Sequence, residues 1–383
     1  MLPGYAELHC RSNFSFLRGA SHPEELVGRA HALGYAALAI TDECSLAGVV
    51  RAHVQARELG LPLIVGAEMT LWRSAEDAAA AGFAGAAAGS SVAAGAAATS
   101  AATAFAVAPA AAGFDALARG LPPAPGTPVP MQLVLLAMSR RGYGNLAQWI
   151  TVARRRAPKG AYLALRADLE GKVPAAPTLA GLPDCLALLL ASTALAAPQP
   201  FEALFAQALW LRTWFGDRAA IALPRLHHAH DGVLVDLAQR VAALTGLPIA
   251  AVGSALMHAR SRKPLQDVLA ATRLRTTVAA AGLALEPNAE AHLRPRARLG
   301  SLCRPEWLAA TLQLAGRCAF SLDELRYEYP REIVPDGHDP TTWLRQLTEE
   351  GARRRFPAGV PPAVRSTIEH ELALIAQLRY EPY

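Results

Sequence analysis

Four short stretches of this sequence carry side chains able to hold divalent metals or move protons: His9-Cys10-Arg11, Thr41-Asp42-Glu43, Glu68, and Gly253-Ser254-Ala255-Leu256-Met257-His258. Each closes or follows an apolar run, and in a parallel α/β barrel the carboxyl ends of strands are where loops converge and reactive residues sit. Histidines and carboxylates meeting there could bind divalent cations for phosphoester hydrolysis, because a metal lowers the pKa of bound water and offsets phosphate charge. His227-His228-Ala229-His230-Asp231 is locally metal-like. Adjacent histidines cannot all face one point, however, and Gly232 suggests a loop, so the stretch reads as surface histidines. A basic run of His258, Arg260, Arg262, Lys263, Arg273 and Arg275, then Arg294, Arg296, Arg298 and Arg304, is either a solvated charged face or a surface for phosphates. Arg154-Arg155-Arg156 closes a helix pattern, where cations complement the dipole, and Trp210 and Trp214 at i, i+4 read as a core stripe.

The elements that must position these groups alternate along the first seventy residues. Tyr5–Cys10 reads as a strand, and 23–33 as a helix opened by Ser21 as N-cap, with Glu24 and Glu25 in its first turn. Strand 36–40, helix 46–59 stopped by Gly60, and a strand opening at Leu63 follow, a βαβαβ pattern that implies parallel strands. From about Ser74 to Pro130 the pattern is interrupted by an Ala-rich, low-complexity insertion ending in a proline-rich run, which cannot build its own core and is expected to protrude. Strands fit again at 132–138, 186–190, 220–223 and 248–252, with helices at 145–156 and 232–244, the second capped by Gly246. Beyond Gly282 the strands stop, and 303–383 reads as helices separated by loops.

Composition sets outer bounds. With 37 Lys+Arg against 32 Asp+Glu the formal charge is +5, which permits a nucleic-acid partner without demanding one. At 52% hydrophobic and 18% charged, the 383 residues can bury a sizeable core, which excludes global disorder. Five scattered cysteines with no CxxC pair point to neither a zinc ribbon nor a disulfide framework and suit a reducing cytoplasm. Glu7, His9 and Arg11 interrupt any apolar signal core near the N-terminus, and the long uncharged stretch 78–114 is Ala, Gly, Ser and Thr with almost no Leu or Ile, a poor membrane span.

The run Tyr5-Ala6-Glu7-Leu8-His9-Cys10-Arg11-Ser12-Asn13-Phe14-Ser15-Phe16-Leu17-Arg18-Gly19 resembles the opening motif of the PHP (polymerase and histidinol phosphatase) domain of bacterial C-family, DnaE-type polymerases. In detail it resembles the error-prone, damage-induced branch of that family. Similar motifs follow in order: Ala39-Ile40-Thr41-Asp42-Glu43; Ile64-Val65-Gly66-Ala67-Glu68; 133–137 with Gly142-Tyr143-Gly144-Asn145-Leu146; and Met257-His258-Ala259-Arg260-Ser261-Arg262-Lys263-Pro264-Leu265-Gln266-Asp267. Pro287-Asn288-Ala289-Glu290 and Tyr329-Pro330 extend the likeness toward the polymerase part. The resemblance implies a distorted parallel (β/α)7 barrel followed by an all-helical segment, divided as a PHP domain over 1–285, with the insertion at about 74–130, and a thumb-like start of the polymerase core over 286–383.

The resemblance also implies a metal set, and this chain departs from it. His9 and Glu68 stand at ligand positions. Arg11 stands where a second His belongs, Arg18 where an Asp belongs and Glu43 where a His belongs; Gln132 lies where a His would begin the fourth strand, and Ser254 and Leu256 replace the last Asp and His. Guanidinium groups repel cations and Leu256 offers no donor, so we expect no metal at the degraded positions His9, Glu43 and Glu68, but a salt-bridged core built by Arg11, Arg18, Glu43 and Glu68. The expected function is that of the amino-terminal portion of an error-prone DNA polymerase used in damage-induced mutagenesis and translesion synthesis. Its magnesium-binding palm carboxylates would lie beyond this chain, and this portion alone would not catalyse synthesis. Expected partners are a DNA primer-template and dNTPs, with mutagenesis-complex and sliding-clamp proteins and no membrane; Arg260, Arg262, Lys263 and Arg273 are the expected DNA-contacting residues. The competing readings are a free-standing metal-dependent PHP phosphoesterase and a non-catalytic scaffold.

Overall fold

Strand β1 (Ala6–Glu7) opens a computed structural model that describes residues 2–81, 128–174, 176–191, 193–194, 197–198, 200–325 and 334–381. Further strands are β2 (Ala37–Glu43), β3 (Leu63–Trp72), β4 (Met131–Ala137), β5 (Ala164–Leu165), β6 (Cys185–Leu190), β7 (Thr193–Ala194), β8 (Ala197–Pro198), β9 (Ala219–Pro224) and β10 (Ile249–Val252). The main sheet runs β1-β2-β3-β4-β6-β9-β10, with β5 beside β3, while β7 and β8 form a separate hairpin. Past β10 the chain returns to the first strand: Ala255 donates to the His9 carbonyl at 3.1 Å and accepts from the Arg11 N–H at 2.9 Å. This bridge all but closes a barrel, so nearly every strand has a neighbour on both sides.

One expectation is corrected. The barrel is mixed, because β4 runs antiparallel to both β3 and β6. Leu71 near the end of β3 pairs with Met131 at the start of β4, so the chain re-enters the barrel at the end it left and needs no helical crossover. A strand buried on both faces has the same apolar composition in either direction, which is why its polarity was not legible.

The interior is narrow because its residues are small. Ala6, Ala37, Ala39, Ala220, Ala222 and Ala250 line it with Leu8, Ile64, Val134, Leu136, Leu186, Leu188 and Val252. Helices α1 (Pro23–Ala32), α2 (Val49–Leu59), α3 (Ala75–Ala80), α4 (Arg140–Arg155), α5 (Phe201–Phe215) and α6 (Asp231–Thr245) bring their buried faces to the outside of the strands. Gly60 and Gly246 end α2 and α6 in left-handed conformation, at φ 67° and 69°. Helix α1 is capped by His22, not Ser21: the His22 N–H donates to Glu25 at 2.9 Å, while the Ser21 hydroxyl meets His258 at 2.8 Å. Ser21 therefore ties the first loop to the last one.

Helix α3, capped by Ser74, buries Ala78 against Trp72 and Leu163 and so belongs to the barrel. The rest of the predicted insertion, residues 82–127, lies outside the described residues, as do Tyr329-Pro330. Helices α7 (Lys263–Arg273), α8 (Arg296–Leu302) and α9 (Pro305–Ala315) follow. Ala310 and Leu314 of α9 join the barrel's inner cluster, and Thr311 accepts the Ala6 N–H at 3.1 Å, so α9 plugs one end of the barrel. The body containing the barrel runs from Met1 to Glu324.

The second unit, Leu325–Tyr383, contains α10 (Pro340–Arg355) and α11 (Pro362–Leu378), paired by Arg345 and Glu369 through two 2.9 Å contacts. Among the described residues no helix is long and apolar enough to cross a membrane.

Candidate functional site: the barrel mouth

The first, second and third strands deliver His9, Glu43 and Glu68 to one place. Glu43 and Glu68 are register partners on β2 and β3, and two like charges side by side demand counter-charges. His9 Nε2 meets Glu68 Oε2 at 2.6 Å, and Arg11 Nε approaches the same oxygen at 3.5 Å. Arg18 Nε meets Glu43 Oε2 at 2.5 Å. Burial alone would raise the Glu68 carboxyl, but the Arg11 guanidinium and the hydrogen bond with His9 outweigh it and hold the group down at about 2. Burial likewise works against the charge on Arg11, while Glu68, Glu43, Glu286 and Asp42 together raise its pKa.

The structure brings further residues to the mouth, of which Tyr162 and Glu286 lie outside every motif. Tyr162 donates to Glu43 Oε1 at 3.3 Å and accepts the Thr70 N–H at 3.1 Å. Glu286, from the connection after α7, sits 3.5 Å from His228 and bears on Arg11 and Lys263. Burial raises Glu286, but His228, Arg11 and Lys263 reverse that and lower it; in return the hydrogen bond to Glu286 raises His228. Glu7, 1% exposed, accepts from the Tyr5 hydroxyl and from the His9 and Gly253 N–H groups, and burial raises its pKa all the same. Asp42 accepts from Ser12 and Ser15, and burial raises it too. Asp42 lies in the strand-end stretch Thr41-Asp42-Glu43 that the sequence already marked, whereas nothing local pointed to Tyr162 or Glu286.

Ser254, two residues past β10, places Oγ 3.0 Å from His9 Nδ1, while Leu256 is buried against Leu226 and Ala291. Gln132 pairs across the sheet with Thr70. His227 turns to Arg298 at 2.8 Å and His228 to Glu286, so the histidine stretch does not converge. No group of three or more His, Cys, Asp or Glu is placed to hold a metal among the described residues.

The basic run divides. Arg260 pairs with Glu290, Arg262 with Glu25 and Lys263 with Asp267, and Arg273 ends the same helix, α7. Arg294 is 1% exposed and donates to the Arg225 carbonyl at 2.5 Å, and Arg296 donates to the Leu33 carbonyl at 3.1 Å. These two fasten the segment after the barrel and do not face a partner. Trp210 donates to Glu170 at 2.9 Å under a stacked Arg166, partly buried at the edge of the core.

A mixed barrel whose mouth is drawn from the ends of its first strands defines the class: residues 7–225 match the PHP domain, and the chain belongs to that family. Over all 383 residues it is 51% identical to the error-prone DNA polymerase of Bordetella parapertussis (strain 12822), and over 382 residues 46% identical to that of Dechloromonas aromatica (strain RCB). It spans about a third of these relatives, 31% of each, at their amino-terminal part. Among solved structures, an amidohydrolase from Chromobacterium violaceum is 15% identical, covering 65% of this chain and 86% of that one at a TM-score of 0.35.

Proposed function

We propose that this chain is the amino-terminal portion of an error-prone DNA polymerase that extends a primer from dNTPs across damaged templates, and that its PHP barrel carries no metal-dependent hydrolysis. The names of the relatives, and a likeness to them that runs over the whole of this chain, support the polymerase reading. The observation that carries the second half is the pairing of Arg11 with Glu68 and of Arg18 with Glu43, which puts guanidinium charge where cations would otherwise sit. Magnesium for nucleotidyl transfer, contacts to the primer-template, the sliding clamp and mutagenesis-complex proteins belong to the longer protein, in a cytoplasmic setting.

Purified chain dialysed against manganese or zinc is expected to retain less than one equivalent of metal and to leave phosphodiester and 3′-end-labelled DNA substrates uncut. Stoichiometric metal accompanied by turnover would reverse this reading in favour of a PHP phosphoesterase.

The α7 region provides a second test. Arg260 and Arg262 each hold a carboxylate, so a phosphate must displace Glu290 or Glu25 to reach them. If they do contact DNA, the double replacement Arg260→Ala, Arg262→Ala should make the slope of log affinity against log salt shallower by about 2, roughly 0.9 per lost phosphate contact. An unaltered slope takes both residues out of the interface.

A further inference from the structure

The contacts of His9 determine which of its nitrogens carries the proton. Glu68 is ionised beside Arg11 and can only accept, so the 2.6 Å contact requires a proton on His9 Nε2. In the neutral imidazole Nδ1 is then a lone pair, and the Ser254 hydroxyl 3.0 Å away is its donor. A hydroxyl donating to an imidazole whose far nitrogen is held by a carboxylate is the arrangement of nucleophile, base and orienting acid. The three residues reach the mouth from separate segments, His9 just past β1, Glu68 within β3 and Ser254 just past β10.

Backbone geometry supports the same assignment. Ser254 has φ 46°, in the left-handed region that a non-glycine residue rarely adopts. It is clamped there from both sides: the Gly253 N–H donates to Glu7 at 2.9 Å, and the Ala255 N–H to the His9 carbonyl at 3.1 Å. This conformation aims the Ser254 hydroxyl at His9.

We propose that Ser254 is an activated nucleophile, with His9 as its base and Glu68 as the positioning residue, competent for acyl transfer from small neutral carboxylic esters. Neutral acyl groups fit because the charges at this mouth already satisfy one another, Arg11 with Glu68 and Arg18 with Glu43, which leaves no unpaired cation to hold a phosphate. Small size follows from Ser254 being 8% exposed. In the reaction Ser254 Oγ bonds to the ester carbonyl carbon as its proton passes to His9 Nδ1. The tetrahedral adduct then collapses, the C–O bond to the alcohol breaks, and His9 returns the proton to the departing oxygen, leaving acyl-Ser254. Water, deprotonated by His9, releases the carboxylic acid and regenerates the serine. No metal takes part, so this inference stands apart from the polymerase reading.

The test treats the folded chain with a small alkyl fluorophosphonate, which serine attacks with loss of fluoride, and maps the adduct by peptide mass spectrometry. The expected product is a single phosphonylated Ser254, formed at least about tenfold faster than any adduct on the exposed Ser301, and absent when the chain is unfolded in urea before labelling. Glu68→Gln, which can no longer impose the tautomer, should slow labelling by about a hundredfold. An unmodified Ser254 in the folded wild-type chain overturns the proposal, and so does labelling that persists at the same rate in urea. Because the wild-type comparison of folded and unfolded chain needs no variant, a poorly folding Glu68→Gln would not obscure the answer.

Discussion

Replacing Glu68 by alanine should destabilise the barrel by about 3 to 5 kcal/mol, the cost of breaking a buried pair by removing one partner. The carboxylate is 2% exposed and is the shared acceptor for His9 and Arg11. His9 is fully buried, and without Glu68 its Nε2 proton faces no acceptor; Arg11, whose side chain is 18% exposed, can turn partly to water, which places the loss nearer the lower figure. The neighbouring pair provides the contrast. Glu43 and Arg18 are 15% and 25% exposed, so Glu43→Ala should cost only about 1 kcal/mol. Urea unfolding of the three proteins measures both values. A Glu68→Ala loss below that of Glu43→Ala would mean that the mouth is not organised around Glu68.

Acid should expose the same dependence. In the unfolded chain Glu68 titrates near 4.5, and in the folded chain at about 2. A depressed carboxyl contributes stability that is fully present above pH 4.5 and is lost as the pH falls toward 2, here about 3 kcal/mol. Glu7 and Asp42 act with the opposite sign, since burial raises both and their protonation therefore favours the folded state as the pH drops. The stability curve should accordingly be flat or rising from pH 7 to about 5 and fall below 4.5. In Glu68→Gln the fall below 4.5 should be clearly smaller, what remains coming from Glu286, Glu290 and Glu25, whose carboxyls are also lowered. Denaturant titrations across pH 2.5 to 7 decide it, and an identical acid limb in the variant would show that another carboxylate controls acid unfolding.

The candidate site was legible to the extent that its residues lie in short motifs at strand ends. His9, Glu43 and Glu68 each terminate or sit within an apolar run, and Arg11 and Arg18 announce themselves as charges in a loop that begins beside a buried strand. Their pairing follows from charge balance in a low-dielectric pocket. Contributors such as Tyr162 and Glu286 come from segments without periodicity or motif, and only three-dimensional closure brings them near the mouth. The basic run illustrates the opposite failure. Its arginines look alike in sequence, yet Arg294 is buried as a fastener while Arg260 remains 65% exposed on its side chain, because burial depends on which neighbour the loop packs against.

Apolar periodicity, helix stops at Gly60 and Gly246, and the guanidinium and aliphatic side chains at Arg11, Arg18 and Leu256 were all set by the linear chain, because each is a property of residue type and near spacing. The direction of β4, the plugging of the barrel by α9, the turning of Ser21 toward His258 and the Ser254-His9-Glu68 contact were decided only on folding. Each joins residues far apart along the chain, and whether they meet depends on barrel closure, which no local run of side chains encodes.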